Sequence, residues 1–181
     1  LIDKVSQKNI EPYQFTFKEA ELIEEELKGS KIVKRKKFPR SDVHQIILNN
    51  GAKILLKQTD FKKDEVNFSA FSSGGFSTAS LEKLDSAKYT EDILGSADIG
   101  DLTVLEKANL YSQDAIDVIP YISEESEGVN GYSNNENLET MFKLLYLNFT
   151  DLRINQTEVD RFKKVKINDY KIDKQSPKHQ Y

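Results

Sequence analysis

The 181-residue sequence contains no cysteine, two histidines and a single methionine. The lack of cysteine excludes disulfide bonds, thiol nucleophiles and zinc–thiolate sites. His44 and His179 lie near opposite ends of the chain, so they cannot form the i,i+4 imidazole pair of a helical zinc site. This composition leaves open metal sites built from carboxylates alone.

The sequence also lacks a run of about 18 apolar residues, so it contains no candidate membrane-spanning helix. Its first residues do not show the basic-then-apolar pattern of a signal peptide. Because the chain begins with Leu1 and its single methionine is Met141, we expect a processed chain or a piece of a longer protein. The missing signal pattern therefore says nothing about where the parent protein is located.

Charged residues are plentiful, at 31% of the sequence against 38% hydrophobic residues. These fractions are typical of a globular domain with long polar stretches. A chain of this length buries roughly 70% of its unfolded surface and needs no metal or disulfide merely to fold. The net charge of −4 argues against a general nucleic-acid-binding protein.

Residues 1–40 are interpreted as a linker that carries one helix. Helix-forming residues run from Phe17 to Leu27, and Gly29 supplies a C-terminal stop. The basic run Lys34–Lys37 follows this helix. We interpret it as a solvated connector, with a phosphate-binding patch as the alternative, because stacking aromatic residues do not interleave it.

Three strands are predicted in the next part of the sequence. The turn Asn49–Gly51 predicts a hairpin over residues 43–57, because Asn-Gly favours a type I′ turn. His44 has no acidic or histidine neighbour on its strand and is interpreted as a surface residue rather than a ligand or base. A third strand is predicted over residues 65–71. The glycine pair at 74–75 is interpreted as a structural turn rather than a phosphate cradle, because neither the P-loop lysine nor the dinucleotide spacing is present.

Three helices are predicted between residues 78 and 149. One is expected over residues 78–97, one begins at the capping box formed by Thr103 and Glu106, and the clearest covers residues 135–149. The predicted core face of this last helix consists of Leu138, Met141, Phe142, Leu145 and Phe149. Its aromatic residues are interpreted as core packing rather than as a cofactor-binding motif.

A strand is predicted over residues 115–123, and Pro120 places it at a sheet edge because proline cannot donate to a ladder. Residues 127–133 are its expected antiparallel partner. A last amphipathic segment, residues 158–165, leads into a polar tail from about residue 172. The order of elements predicts an α+β fold, with helices packed on one face of a mostly antiparallel sheet.

The order of these motifs, from about Asp42 to Phe162, resembles the insulinase/pitrilysin family of zinc metallopeptidases, the inverzincins. The motifs that carry the resemblance are Leu48–Lys57, Phe71–Ser77, Pro120–Ser133 and Leu138–Thr150. Within that family they look most like a later, non-catalytic domain of the large bacterial zinc proteases. The resemblance implies that residues 41–181 are an incomplete domain of this type.

Members of the family carry the inverted zinc motif H-x-x-E-H on the helix that follows the Gly-Gly turn. The resemblance places Lys88 and Asp92 at the two histidine positions and leaves Glu91 as a relic of the catalytic glutamate. A lysine cation is not an ordinary ligand, and one aspartate cannot hold zinc alone, so no catalytic, cofactor-binding or metal residue is assigned. The family's third ligand would fall near Asn168 or Asp169. We interpret Glu91 as one end of an i,i+3 pair with Lys88 rather than as a residual acid or base.

The resemblance implies that this chain is an inactive domain in the wall of a peptide-binding chamber, while another domain of the parent hydrolyses peptide bonds with a zinc-activated water. Zinc then belongs to the parent, and this chain needs no cofactor. The expected partners are the other domains of the parent and a peptide substrate that adds to a sheet edge; neither nucleic acid nor a membrane span is expected. An open sheet edge also predicts self-association. Bacterial members of this type are often exported, which favours a periplasmic or cell-envelope location.

Two alternatives remain at this stage. One is a purely structural or interaction subunit, like the inactive family members that serve as core proteins of assemblies. The other is an unrelated α+β binding domain.

Overall fold

A computed structural model describes residues 22–23 and 27–175 of the protein. Its strands are β1 (Ile32–Phe38), β2 (Val43–Leu48), β3 (Lys53–Lys57), β4 (Val66–Ser73), β5 (Asp98–Ile99), β6 (Asp117–Ile122), β7 (Ser126–Ser133) and β8 (Leu152–Arg153). Its α-helices are α1 (Leu84–Lys88), α2 (Thr90–Gly95), α3 (Val104–Asp114), α4 (Leu138–Thr150) and α5 (Gln156–Gln175), and a 3-10 helix spans Phe76–Thr78. Most of the helix predicted over residues 17–27, and the end of the polar tail, lie outside the described residues. The segment predicted over 158–165 was predicted too short, because α5 continues to Gln175 and includes the first residues of the tail expected from about residue 172.

The described strands pair in three antiparallel sheets, with the orders β1-β2-β3, β4-β7-β6 and β5-β8. The predicted α+β class is therefore confirmed, although the strands are divided among sheets rather than joined in one. β4 pairs with β7 over eight residue pairs, from Val66 with Ser133 to Ser73 with Ser126. Since these partners are far apart in sequence, no local pattern identifies them.

The basic run lies in β1 rather than in a connector. Lys37 is opposite His44 and Arg35 is opposite Ile46 across the β1–β2 ladder. The run is exposed to solvent, as expected, but its backbone is in regular structure. Alternation along the strand distributes its charges over both faces of the sheet.

The hairpin between β2 and β3 is confirmed, but its turn type was predicted wrongly. Leu48 N donates to Ala52 O at 2.9 Å and Gly51 N donates to Leu48 O at 3.0 Å, which encloses a three-residue loop. Among the three loop residues 49–51, only Gly51 has a positive φ, at 89°. A three-residue loop ending in a left-handed glycine needs one positive φ, whereas a type I′ turn needs two.

The hydrophobic core lies between the sheet β4-β7-β6 and helices α3 and α4. Its buried residues are Leu102, Leu110, Ile116, Val118, Val129, Met141 and Leu144. Two residues of the predicted core face of α4, Phe142 and Phe149, are instead exposed. Apolar residues occur on almost every side of this helix, so periodicity alone did not fix the side that packs on the sheet.

The single helix predicted over residues 78–97 is also wrong in its extent. Regular α-helix begins at Leu84 and is interrupted at Tyr89, between α1 and α2. The Thr90 hydroxyl donates to Ser86 O at 3.2 Å, a side-chain bond of the kind that bends helices.

Two local predictions are confirmed in detail. Helix α3 begins after the N-cap Thr103, with both hydrogen bonds of the capping box to Glu106 present. Strand β6, which contains Pro120, is an edge strand and pairs with β7. In the part of the chain that the structure describes, no helix is long and apolar enough to cross a membrane.

Candidate functional site

An apolar cavity of about 470 Å³ lies beside the sheet β4-β7-β6, bordered by α2, β8 and the end of α4. Its lining includes Phe71, Leu94, Pro120, Tyr121, Ile122 and Phe149. The side chains of Phe71 and Phe149 are 78% and 73% exposed. Two exposed phenylalanines at the border of an apolar concavity are typical of a surface that binds a ligand or another protein.

The outer edge of β4 adjoins this cavity and is unpaired within the described residues. Gly74 N donates to Glu125 O at 3.0 Å, which fixes the hydrogen-bonded pairs of the β4–β7 ladder. Because bonded and non-bonded pairs alternate in an antiparallel ladder, the backbone groups of Asn67, Ser69, Phe71 and Ser73 point outward. These four residues can therefore accept a further strand.

The opposite edge of this sheet, at β6, is blocked. Ser123 N donates to Ser126 O at 2.8 Å. Because bonded and non-bonded pairs alternate along the ladder, the backbone N–H and C=O groups of Val118, Pro120 and Ile122 point away from β7, apart from the missing N–H of Pro120. Pro120 has no N–H, the Tyr111 hydroxyl donates to Val118 O at 3.3 Å, and Ile122 N donates to Glu91 Oε2 at 3.2 Å. β4 therefore offers the accessible edge of this sheet.

The glycine pair at 74–75 is a structural turn, as predicted. Gly75 has φ 74°, and a Cβ there would lie 2.3 Å from Ser123 O. Phe76 N donates to Ser123 O and Ser77 N to Glu124 O, both at 2.9 Å. Since these N–H groups are bonded to carbonyls of the β6–β7 connection, they cannot cradle a phosphate.

The segment that resembles the family zinc motif does not lie on one continuous helix. Lys88 ends α1, whereas Glu91 and Asp92 lie in the first turn of α2. The predicted ion pair between Lys88 and Glu91 is wrong, because the Glu91 carboxylate caps the backbone of Ile122 instead. That partner lies on another element 31 residues away, so helix spacing could not reveal it.

Helix α5 packs against this segment through an aromatic and ionic cluster. The rings of Tyr89 and Phe162 meet edge to face, with centroids 5.8 Å apart. Lys166 Nζ lies 5.6 Å and 5.2 Å from these two centroids and 3.9 Å from Asp92 Oδ2. A lysine ammonium thus lies beside Asp92, the aspartate that the resemblance places at a histidine position.

The residues at the motif positions have neighbours of other kinds than metal ligands. Lys88 supplies no ordinary ligand, and the carboxylates of Glu91 and Asp92 have a backbone N–H and a lysine as neighbours. Within residues 22–23 and 27–175, no three His, Asp or Glu side chains are grouped so that they could hold a metal ion. His44 lies on β2, opposite Lys37 and Leu56.

The cavity was not predicted from the sequence. Its lining comes from six separate elements, and Phe149 was expected to face the core. One available signal was the number of large apolar residues in α4, which exceeds what a single buried stripe accommodates.

No family model matches the sequence. Two curated relatives do: "Probable zinc protease PqqL" of Haemophilus influenzae is 20% identical over 129 residues, which is 71% of this chain and 14% of that protein. "Zinc protease PQQL-like" of Arabidopsis thaliana is 29% identical over 96 residues, covering 53% of this chain and 10% of that protein. The chain therefore spans between a tenth and a seventh of the length of these relatives.

Solved structures agree in fold. The periplasmic protease PqqL from Escherichia coli superposes with a TM-score of 0.80 at 15% identity, covering 99% of this chain and 20% of that chain. A mutant of the ferredoxin protease FusC, in complex with Arabidopsis ferredoxin, gives a TM-score of 0.63 at 16% identity, covering 85% and 17%. The predicted resemblance is thereby confirmed: this chain is similar in sequence to a segment of the two PqqL-type zinc proteases and similar in fold to a segment of PqqL.

Proposed function

We propose that this chain is a non-catalytic domain of a larger zinc protease and that it forms part of the wall of a peptide-binding chamber. The observation that carries the proposal is the apolar cavity beside the unpaired edge of β4. We assign residues 32–181 to an incomplete domain and the residues before them to a linker. The boundary expected near residue 40 moves to the start of β1, because β1 pairs with β2 and so belongs to the domain. Zinc, in this proposal, is held elsewhere in the parent.

The geometry suits an extended peptide. Outward N–H and C=O groups on β4 can pair with the peptide backbone, which makes recognition tolerant of sequence. Apolar side chains of the peptide can then enter the cavity, whose lining includes Phe71 and Phe149. The protein ligand named for the FusC structure is a polypeptide, which supports the same class of ligand here.

The absence of catalysis in this chain is part of the proposal. Glu91 is treated as a relic position, with Lys88 and Asp92 at the histidine positions of the motif. A glutamate without a metal, a nucleophile or oxyanion donors has no reaction to support. The other domains of the parent are the expected covalent neighbours, and the open β4 edge also allows a second copy of this chain to pair.

The proposal is tested by measuring the fluorescence anisotropy of a labelled, uncharged, unfolded peptide added to the chain. Phe149→Ser should weaken binding about tenfold, because it removes an aromatic border of the cavity; a tenfold change corresponds to about 1.4 kcal/mol. Phe61→Ser is the matched control, since Phe61 is 88% exposed and does not line the cavity. Equal binding by both variants and the unaltered chain would contradict a peptide site in this cavity.

A purely structural subunit is the second candidate. The capping of Ile122 by Glu91 favours it, because a residue of the inactive motif helps to hold the fold together. The coding sequence upstream of Leu1 separates the two functions: an H-x-x-E-H helix encoded there supports the protease parent, and its absence supports the structural subunit.

A further inference from the structure

The sheet β1-β2-β3 is strongly basic in an acidic protein. Residues 32–57 contain seven Lys and Arg and one Asp, a net charge of +6, whereas the whole chain carries −4. The remaining residues therefore carry −10. A charge separation of this size attracts acidic ligands to one part of the molecule.

One face of this sheet combines charge with apolar surface. Opposed residues of a ladder share a face, and alternate residues along a strand return to it. The ladder registers place Arg35, Lys37, His44, Ile46, Ile54 and Leu56 on this face, which we call the Arg35 face. Lys34, Lys36 and Lys53 lie on the opposite face.

The Arg35 face contains a concavity of about 280 Å³. Its border includes Arg35, Lys37 and His44 together with the apolar side chains of Ile46 and Leu56. Leu56 is 58% exposed, and the concavity shares no residue with the cavity beside β4. Cationic groups around an apolar floor suit a ligand that carries both carboxylates and apolar side chains.

One carboxylate already uses part of this surface. Asp42 Oδ1 lies 2.7 Å from Lys37 Nζ, and this contact lowers the pKa of Asp42. The Arg35 guanidinium has no ion-pair partner among the described residues. Asp42 thus shows how a ligand carboxylate would be held, and Arg35 offers a second position for one.

We propose that the Arg35 face binds an extended acidic peptide, with its carboxylates on Arg35 and Lys37 and its apolar side chains on Ile46 and Leu56. Residues two positions apart in an extended peptide share a face, so a carboxylate and an apolar side chain with that spacing can both contact the Arg35 face. This site is separate from the cavity of the proposed function, so either one can fail without the other.

Two other ligand classes fit less well. Single-stranded nucleic acid requires aromatic stacking surfaces, and the Arg35 face has no aromatic side chain except His44. Phe38 lies on the opposite face, where Lys36 Nζ is 4.5 Å from its ring centroid. An anionic bilayer is best met by protruding apolar side chains, whereas the apolar residues here lie in a concavity.

Edge protection is the competing explanation for the charges, because lysines on edge strands prevent unwanted pairing. It applies equally to both faces of β1. A site on one face predicts that neighbouring cations of β1 differ in their effect on binding, and this difference is the basis of the experiment.

The test uses the 181-residue chain and a labelled peptide that repeats Glu-Ser-Val-Ser, in which Glu and Val share one face of the extended chain. Peptides with Gln or Lys in place of Glu serve for comparison. Arg35→Gln should weaken binding of the Glu peptide about tenfold, whereas Lys34→Gln, the same loss of charge on the opposite face, should change it less than about twofold. Asp42→Asn should strengthen binding by freeing Lys37. Asparagine tolerates the positive φ of 52° at this position.

Equal losses for Arg35→Gln and Lys34→Gln would overturn the site in favour of general electrostatic attraction. So would binding of the Gln peptide as tightly as the Glu peptide. Tighter, Arg35-dependent binding of single-stranded DNA or of phosphatidylglycerol vesicles would overturn the ligand class. Circular dichroism and thermal unfolding of each variant establish that a loss of binding is not a loss of fold.

Discussion

At the scale of single residues, Glu91 acts as a backbone cap on an edge strand. Its Oε2 accepts a hydrogen bond from Ile122 N at 3.2 Å, so it closes an outward donor of β6 that would otherwise be free to pair. Its neighbour Asp92 lies beside Lys166 of α5. Both carboxylates thus contribute to packing of α2 against its surroundings.

We expect Glu91→Ala to reduce the free energy of unfolding by about 0.5–1.5 kcal/mol, the usual net contribution of one hydrogen bond. Glu91→Gln should lose less, since its amide oxygen can still accept from Ile122 N. Urea unfolding measures both changes. In parallel, calorimetric titration should detect no stoichiometric zinc binding by any of the three proteins; zinc binding that disappears in Glu91→Ala would contradict the relic assignment.

At the scale of secondary-structure elements, the start of α3 is specified by residues within its own first turn. The Thr103 hydroxyl accepts from Glu106 N at 3.3 Å, and Glu106 Oε2 accepts from Thr103 N at 2.8 Å. The Thr103 hydroxyl also donates to Glu106 Oε2 at 2.6 Å. This bond, followed by the one from Thr103 N, lowers the pKa of Glu106. The folded state therefore binds fewer protons than the unfolded state in mild acid, and the contribution of this contact is lost as the pH falls through the lowered pKa.

Thr103→Ala should cost about 1 kcal/mol of stability at neutral pH, as is typical for loss of an N-cap. The variant should also lose less stability than the unaltered chain between neutral pH and acid, because Glu106 no longer has its hydroxyl partner. Denaturant midpoints measured across this pH range test both effects. Thr59→Ala, in an exposed loop, is the control, and an equal cost from it would argue against a capping effect.

At the scale of the whole molecule, the strand edges differ in how they are protected. The edge strands β1 and β3 carry lysines, and β6 is blocked by Pro120, Glu91 and Tyr111. β4, in contrast, contains neither a charged residue nor a proline over Val66–Ser73, and its ladder with β7 has no register shift. An uncharged, regular edge of this length readily pairs with another strand.

We expect the isolated chain to dimerise at high concentration through antiparallel pairing of two β4 strands. Phe71→Lys places a charge on this edge and should shift the chain to monomer, whereas Phe61→Lys should leave the equilibrium unchanged. Sedimentation velocity over a range of concentrations measures the effect. A chain that stays monomeric at every concentration would contradict the assignment of β4 as the open edge.

The sequence by itself determined the features that depend on residues a few positions apart. Thr103 and Glu106 specified the start of α3, Asn-Gly specified a hairpin, and Pro120 specified an edge strand, because each acts through its own backbone or its near neighbours. The turn type of the hairpin and the interruption at Tyr89 were missed, since competing local geometries differ little in energy.

Only the tertiary structure decided which distant groups meet. Four features join residues that are far apart in sequence: the pairing of β4 with β7, the side of α4 that faces the core, the partner of Glu91, and the cavity whose lining includes Phe71 and Phe149. Local patterns contain no information on these contacts, because burial against a specific partner, rather than propensity, selects among faces that are similarly apolar.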